Sequence, residues 1–154
     1  MSQQVSARPI PVVGGVLAAA VVASAGNAVV SLLARAAGAS SWFQALNPAS
    51  YVPLTVIGIV LGAAGWGIVR RLAKNPRRLL GRLAPIVVVV SFVPDLALLG
   101  ANQPGTSALA VAALMVMHVL VAAVALFACG RVLPLAPAGV GSEVFSPGTL
   151  GYKR

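Results

Sequence analysis

Apolar residues in this chain come in long unbroken runs rather than in strict alternation with polar ones. The first run covers about Pro11 to Leu33, "PVVGGVLAAAVVASAGNAVVSLL", and the second about Tyr51 to Val69, "YVPLTVIGIVLGAAGWGIV". The third covers about Leu83 to Leu99, "LAPIVVVVSFVPDLALL", and the fourth about Ser107 to Cys129, "SALAVAALMVMHVLVAAVALFAC". Each is close to the roughly 20 residues a helix needs to cross a bilayer's hydrocarbon. The third is the shortest, and the "RRLLGRL" approach offers it an earlier start.

Continuous runs of this length exclude barrel strands, which need only about 9–11 residues and alternate. "IVVVV" favours a strand in water, but in lipid each segment must satisfy its own backbone, and only a helix does so. The expected fold is all-α, a four-helix transmembrane bundle. The expected organisation is a short N-terminus over 1–10, a membrane domain over 11–133 and a disordered tail over 134–154. That tail, "PLAPAGVGSEVFSPGTLGYKR", is punctuated by Pro and Gly without periodicity.

Composition agrees with the pattern. The chain of 154 residues is 59% hydrophobic and only 8% charged, against about 25% charged in a soluble domain. Mean hydropathy is +0.97, which leaves too little polar surface to wet a globule. The expected location is the inner (plasma) membrane, spanned several times.

Net charge is +9, and its placement sets the topology. "RRLAKNPRRLLGR", between the second and third runs, holds Arg70, Arg71, Lys74, Arg77, Arg78 and Arg82. Arg8, Arg131, Lys153 and Arg154 fall at the same face, and only Arg35 at the other. The positive-inside rule then puts both termini and this connection in the cytoplasm. The six cations are expected to contact anionic lipid headgroups. Sparse aromatics and cations clustered between apolar runs argue against nucleic acid. Trp42 and Phe43, in the middle of the first outer connection, are expected at the headgroup level. A cleaved signal peptide ending at "ASA" (Ala23–Ala25) is the rival reading of the first run, but the apolar character continues to Leu33.

Against this background the intramembrane polar residues are conspicuous. Asp95, one of only two acidic residues, lies in "SFVPDLALLG". A helical rise puts it about 7–8 Å below the outer surface, with Asn27 at about 9 Å and Thr55 at about 6 Å. Three helices thus contribute to one polar layer, toward which Arg35 can snorkel. A carboxylate facing lipid is costly, so Asp95 is expected to face the bundle, be neutral or be paired. It is either a clamp satisfied by neighbours or a site for a proton, cation or polar ligand.

His118, the only histidine, falls about 16–17 Å deep, some 9 Å from Asp95 along the membrane normal. That predicts no direct bond between them and leaves Ser91, one turn below Asp95, as the better-matched partner. One histidine is too few for haem or a metal, so no cofactor and no metal are expected. Thr55, Gly58, Gly62 and Trp66 share a stripe on the second helix, where small residues allow close helix packing. Cys129, the single cysteine, excludes an intrachain disulfide.

"WFQALNPASYVPLTVIG" (Trp42–Gly58), "GAAGW" (Gly62–Trp66), "SFVPDLALL" (Ser91–Leu99) and "MVMHVLVAAV" (Met115–Val124) resemble an uncharacterised bacterial family of small four-helix membrane proteins. The resemblance covers roughly Pro11 to Leu133. It implies the fold and carries no activity, substrate or catalytic residue.

No nucleophile–base pair, carboxylate pair or cofactor fingerprint appears, so no enzyme is expected. The expected role is an accessory or partner-binding membrane protein, with a homo-oligomer or another membrane protein as partner. The alternative is a small transporter or channel for a proton, cation or small solute, using Asp95 and His118. A third reading is a redox or quinone-associated protein using His118.

Overall fold

In a computed structural model of the chain, residues 9–101 and 103–135 are described. The segment before Pro9 and the expected tail beyond Leu135 lie outside the described residues. Those residues fold into α1 (Pro9–Ala36), α2 (Pro48–Leu72), α3 (Pro76–Ala97) and α4 (Ala108–Val132). Single 3-10 turns sit at Gln44–Leu46 and Leu98–Gly100. All four helices are long and apolar enough to cross a membrane, and among the described residues there is no strand.

The helix ends follow from local chemistry. α2 opens with Pro48 in its first turn, where proline's missing N–H and fixed φ cost nothing. α3 starts at Pro76 rather than near Leu83, because Asn75 Oδ1 accepts the Arg78 N–H at 3.2 Å and caps it. The basic connection is therefore two helix ends joined by Ala73–Asn75, with Arg77, Arg78 and Arg82 on α3. α4 is capped in the same way by Ser107, whose hydroxyl accepts the Ala110 N–H at 3.2 Å.

Packing centres on α4, which touches all three other helices; α1, α2 and α4 form a triangle, and α3 leans on α4 and less on α2. The triangle closes through small residues. Ala19, Ala23, Asn27, Ser31 and Ala34 make the buried stripe of α1, and a Cβ on Gly26 would lie 2.8 Å from Leu120 Cδ1. Small residues at these positions let the helices cohere by close van der Waals contact and interhelical hydrogen bonds.

One end of the bundle is closed by the α1–α2 connection. Phe43 and Leu46 are fully buried there, against Ala34, Tyr51, Ala110 and Met117. Aromatics in this loop read from sequence as headgroup-level anchors, which fits Trp42 at 78% exposure but not Phe43 at 0%. The turn at Ser40–Phe43, with the Phe43 N–H bonded to the Ser40 carbonyl at 3.2 Å, sends adjacent side chains opposite ways.

Candidate functional site

Along α3 a single stripe turns toward the other helices: Ala84, Val88, Ser91, Phe92, Asp95 and Leu98 are buried or half-buried, while Val87, Val89, Val90 and Val93 are exposed. The helix thus buries its most polar stripe, as expected where the outside is apolar. Asp95 is 4% exposed, and its Oδ2 lies 3.0 Å from His118 Nδ1 on α4.

This contact corrects the depth estimate, which held the two residues too far apart to meet. Helical side chains lean toward the N-terminus of their own helix. α3 and α4 run antiparallel, so Asp95 leans away from the α3–α4 connection and His118 leans toward it. Each covers roughly the preceding turn of about 5 Å, which closes a gap counted from backbone positions. The connection through Leu98–Gly100 also does not force the two helix ends to be level.

His118 Nδ1 is 3.0 Å from the Leu114 carbonyl as well. With a proton on Nδ1 the ring N–H points along that bond, and the carboxylate oxygen approaches the same nitrogen off its axis. Asp95 Oδ2 consequently lacks a linear hydrogen bond, and the two side chains meet as a close polar contact. The two partners differ in setting: Asp95's side chain is 6% exposed and that of His118 40%. Among the described residues, His118 Nε2 has no hydrogen-bond partner.

The remaining polar residues form separate contacts instead of one layer around Asp95. Asn27 Nδ2 donates to Thr55 Oγ1 at 2.8 Å, joining α1 to α2. Arg35 does not reach down to Asp95; its Nη2 donates to Asn47 Oδ1 at 2.6 Å and to the Leu46 carbonyl at 3.3 Å. Ser91 does not bridge Asp95 and His118, because its hydroxyl donates to the Val88 carbonyl at 2.7 Å. That backbone acceptor, one turn earlier on its own helix, satisfies the hydroxyl with no partner helix.

Ser31 and Asn47 are two polar residues the sequence reading missed. Buried Ser31 donates to the Leu46 carbonyl at 2.7 Å, so it and Arg35 both fasten the loop that buries Phe43. Ser31 lies four residues after Asn27 on the same face, and that spacing was the available signal.

The α2 stripe packs on α4. A Cβ on Gly58 would meet Val121 Cγ1 at 3.4 Å, and one on Gly62 would meet Ala125 Cβ at 3.4 Å. Trp66 ends the stripe, its Nε1–H bonded to the Leu133 carbonyl at 3.0 Å. Arg70, Arg71, Lys74, Arg77, Arg78 and Arg82 gather at this end, around the α2–α3 turn. Arg131 sits over the Phe127 ring at 4.7 Å. Among the described residues, no three His, Cys, Asp or Glu side chains come close enough to hold a metal.

The family model described as a family of unknown function, DUF6069, matches residues 7–134. No curated protein and no solved structure matches the chain.

Proposed function

The chain belongs to the DUF6069 family, and we propose that it is a multi-pass protein of the inner membrane, an accessory subunit that holds a partner's transmembrane segment at its α3–α4 seam. The half-exposed imidazole of His118 carries this reading. Lipid can cover the bare valines of α3, but it cannot satisfy a ring nitrogen. An unsatisfied polar group in hydrocarbon costs several kcal/mol. A hydrogen-bonding side chain on a helix docked from outside removes that cost, and Asp95 fixes the ring that receives it.

Two further features support the reading. The six cations around the α2–α3 turn favour a cytoplasmic position for that end, and with it for both termini. The proposed role is non-enzymatic, in keeping with a sequence that carries no nucleophile–base pair, carboxylate pair or cofactor fingerprint.

Photocrosslinkers at Val89 and Leu96, exposed positions seven residues apart on one flank of the seam, test the docking. The expected result is one protein adduct of defined mass, identical from both positions and lost when His118→Leu is added. A probe at Val22, on the exposed side of α1, should not give it. Lipid adducts alone from all three positions would end the accessory reading.

The alternative is transport of a proton, cation or small solute, favoured by the contact between two titratable side chains within the spans. In proteoliposomes, a flux abolished by Asp95→Asn and by His118→Ala would replace the accessory reading with this one. The same flux in both variants would remove it.

A further inference from the structure

At the arginine-rich end a crevice of about 570 Å³ opens between α3 and α4, with Trp66 of α2 at its side. Its α3 wall is Arg77, Leu80, Gly81, Ala84 and Pro85, and Leu126 and Gly130 form the α4 wall. The space exists because both walls carry residues too small to fill it. A Cβ added at Gly81 or at Gly130 would meet nothing within 4 Å. Trp66 contributes its ring, because its N–H is already taken by the Leu133 carbonyl.

The lining has a polarity gradient. Arg77 stands in the first turn of α3, at the helix end, and Leu80, Ala84, Pro85 and Leu126 continue from it as an apolar surface. A ligand fitting both parts has an anionic head and a hydrocarbon tail. Charge favours such an occupant strongly. Arg70, Arg71, Lys74, Arg78 and Arg82 surround the same end, and Asp95, the one acidic side chain among the described residues, is spent on His118. A planar guanidinium can take two phosphate oxygens at once.

The geometry points to a binding site for one anionic phospholipid, its phosphate on Arg77 and an acyl chain lying along Leu80, Ala84 and Leu126. This goes beyond diffuse attraction of a basic surface to anionic lipid, because a single one of the six cations is given the headgroup. It rests on the membrane location proposed above.

Trp66 reports on the site. The chain has two tryptophans, and Trp42→Phe, at an exposed loop position, leaves Trp66 as the only indole. That variant is reconstituted in phosphatidylcholine bilayers holding increasing fractions of brominated phosphatidylglycerol or of brominated phosphatidylcholine, and Trp66 emission is followed. Phosphatidylglycerol should quench at about fivefold lower mole fraction, the factor one well-placed cation supplies. Arg77→Gln should remove most of that preference, leaving the weaker enrichment that the other cations supply, while Arg78→Gln, outside the crevice, should keep most of it. Equal quenching by both lipids in the parent, or a loss in Arg77→Gln no larger than in Arg78→Gln, would overturn the site alone. Quenching by neither lipid would overturn the membrane location and the site with it.

Discussion

His118 Nδ1 and Asp95 Oδ2 lie 3.0 Å apart across the α3–α4 contact, and this pair is the polar connection between the loosely held third helix and the rest of the bundle. Between Arg77 at its start and Asp95, α3 offers α4 only small or apolar side chains along its seam. The contact therefore specifies both which face of α3 turns inward and how far along α4 it sits. Because the contact lacks a linear hydrogen bond, the pair acts more through register than through bulk stability.

Removing one partner should hurt more than removing both. His118→Leu leaves Asp95 buried without its polar neighbour, and a loss of about 1–3 kcal/mol is expected, the cost of a buried polar group left unpaired. Asp95→Leu leaves the half-exposed imidazole, which still bonds the Leu114 carbonyl, and should cost less. In the double variant the loss should fall below that of His118→Leu, giving a coupling of about 1–2 kcal/mol. Unfolding titrations in mixed micelles measure all four species, and simple additivity would refute the pairing.

Adjacent aromatics in the α1–α2 connection should respond oppositely. Phe43 is 0% exposed and Trp42 78%. Phe43→Ala should cost about 3–5 kcal/mol, the range for an aromatic lost from a packed core. Trp42→Ala should stay within about 0.5 kcal/mol in micelles. Equal effects on the micelle melting temperature would show that the loop does not plug the bundle.

These contrasts mark what the sequence could tell. Long apolar runs are legible because a bilayer demands unbroken hydrocarbon, so all four helices stood out. The start of α3 did not, since Arg77, Arg78 and Arg82 dilute the local hydropathy while Asn75 and Pro76 carry the actual start signal. Asn27 and Thr55 were placed at similar depths and do bond. Asp95 and His118 were placed apart, because counting rise per residue locates backbones and ignores the opposite lean of side chains on antiparallel helices. Phe43 was misread for a related reason: residue type gives its preferred depth, but the backbone turn decides which of two neighbouring aromatics points inward.

Gly105 holds the two loops at the closed end together. It adopts φ +78°, and a Cβ there would come within 2.8 Å of Ser40 Oγ and 2.9 Å of the Phe43 backbone nitrogen. Gly105→Ala meets both obstacles, a left-handed backbone and a backbone clash, and should cost about 1–3 kcal/mol. Gly100→Ala is the control, since a Cβ at Gly100 meets nothing within 4 Å. Its melting temperature should match the parent's, and a comparable fall in both variants would refute the loop contact.

The α2–α4 contact at Gly62 should show a sharp size threshold. A Cβ at this position reaches Ala125 Cβ at 3.4 Å, an ordinary contact, so Gly62→Ala should be tolerated within about 0.5 kcal/mol. Gly62→Leu carries a branched side chain beyond that contact, and pressing it against Ala125 is overpacking of a kind that costs about 1–3 kcal/mol. Ala125→Gly, which removes the opposing methyl, should recover part of the loss in the Gly62→Leu background and little or nothing alone. Gly65→Leu supplies the contrast, because a Cβ at Gly65 faces open space and the added side chain can lie outside the bundle. Melting of the five variants in one detergent decides the matter: a loss for Gly62→Leu no greater than for Gly65→Leu would mean that α2 does not approach α4 along this stripe.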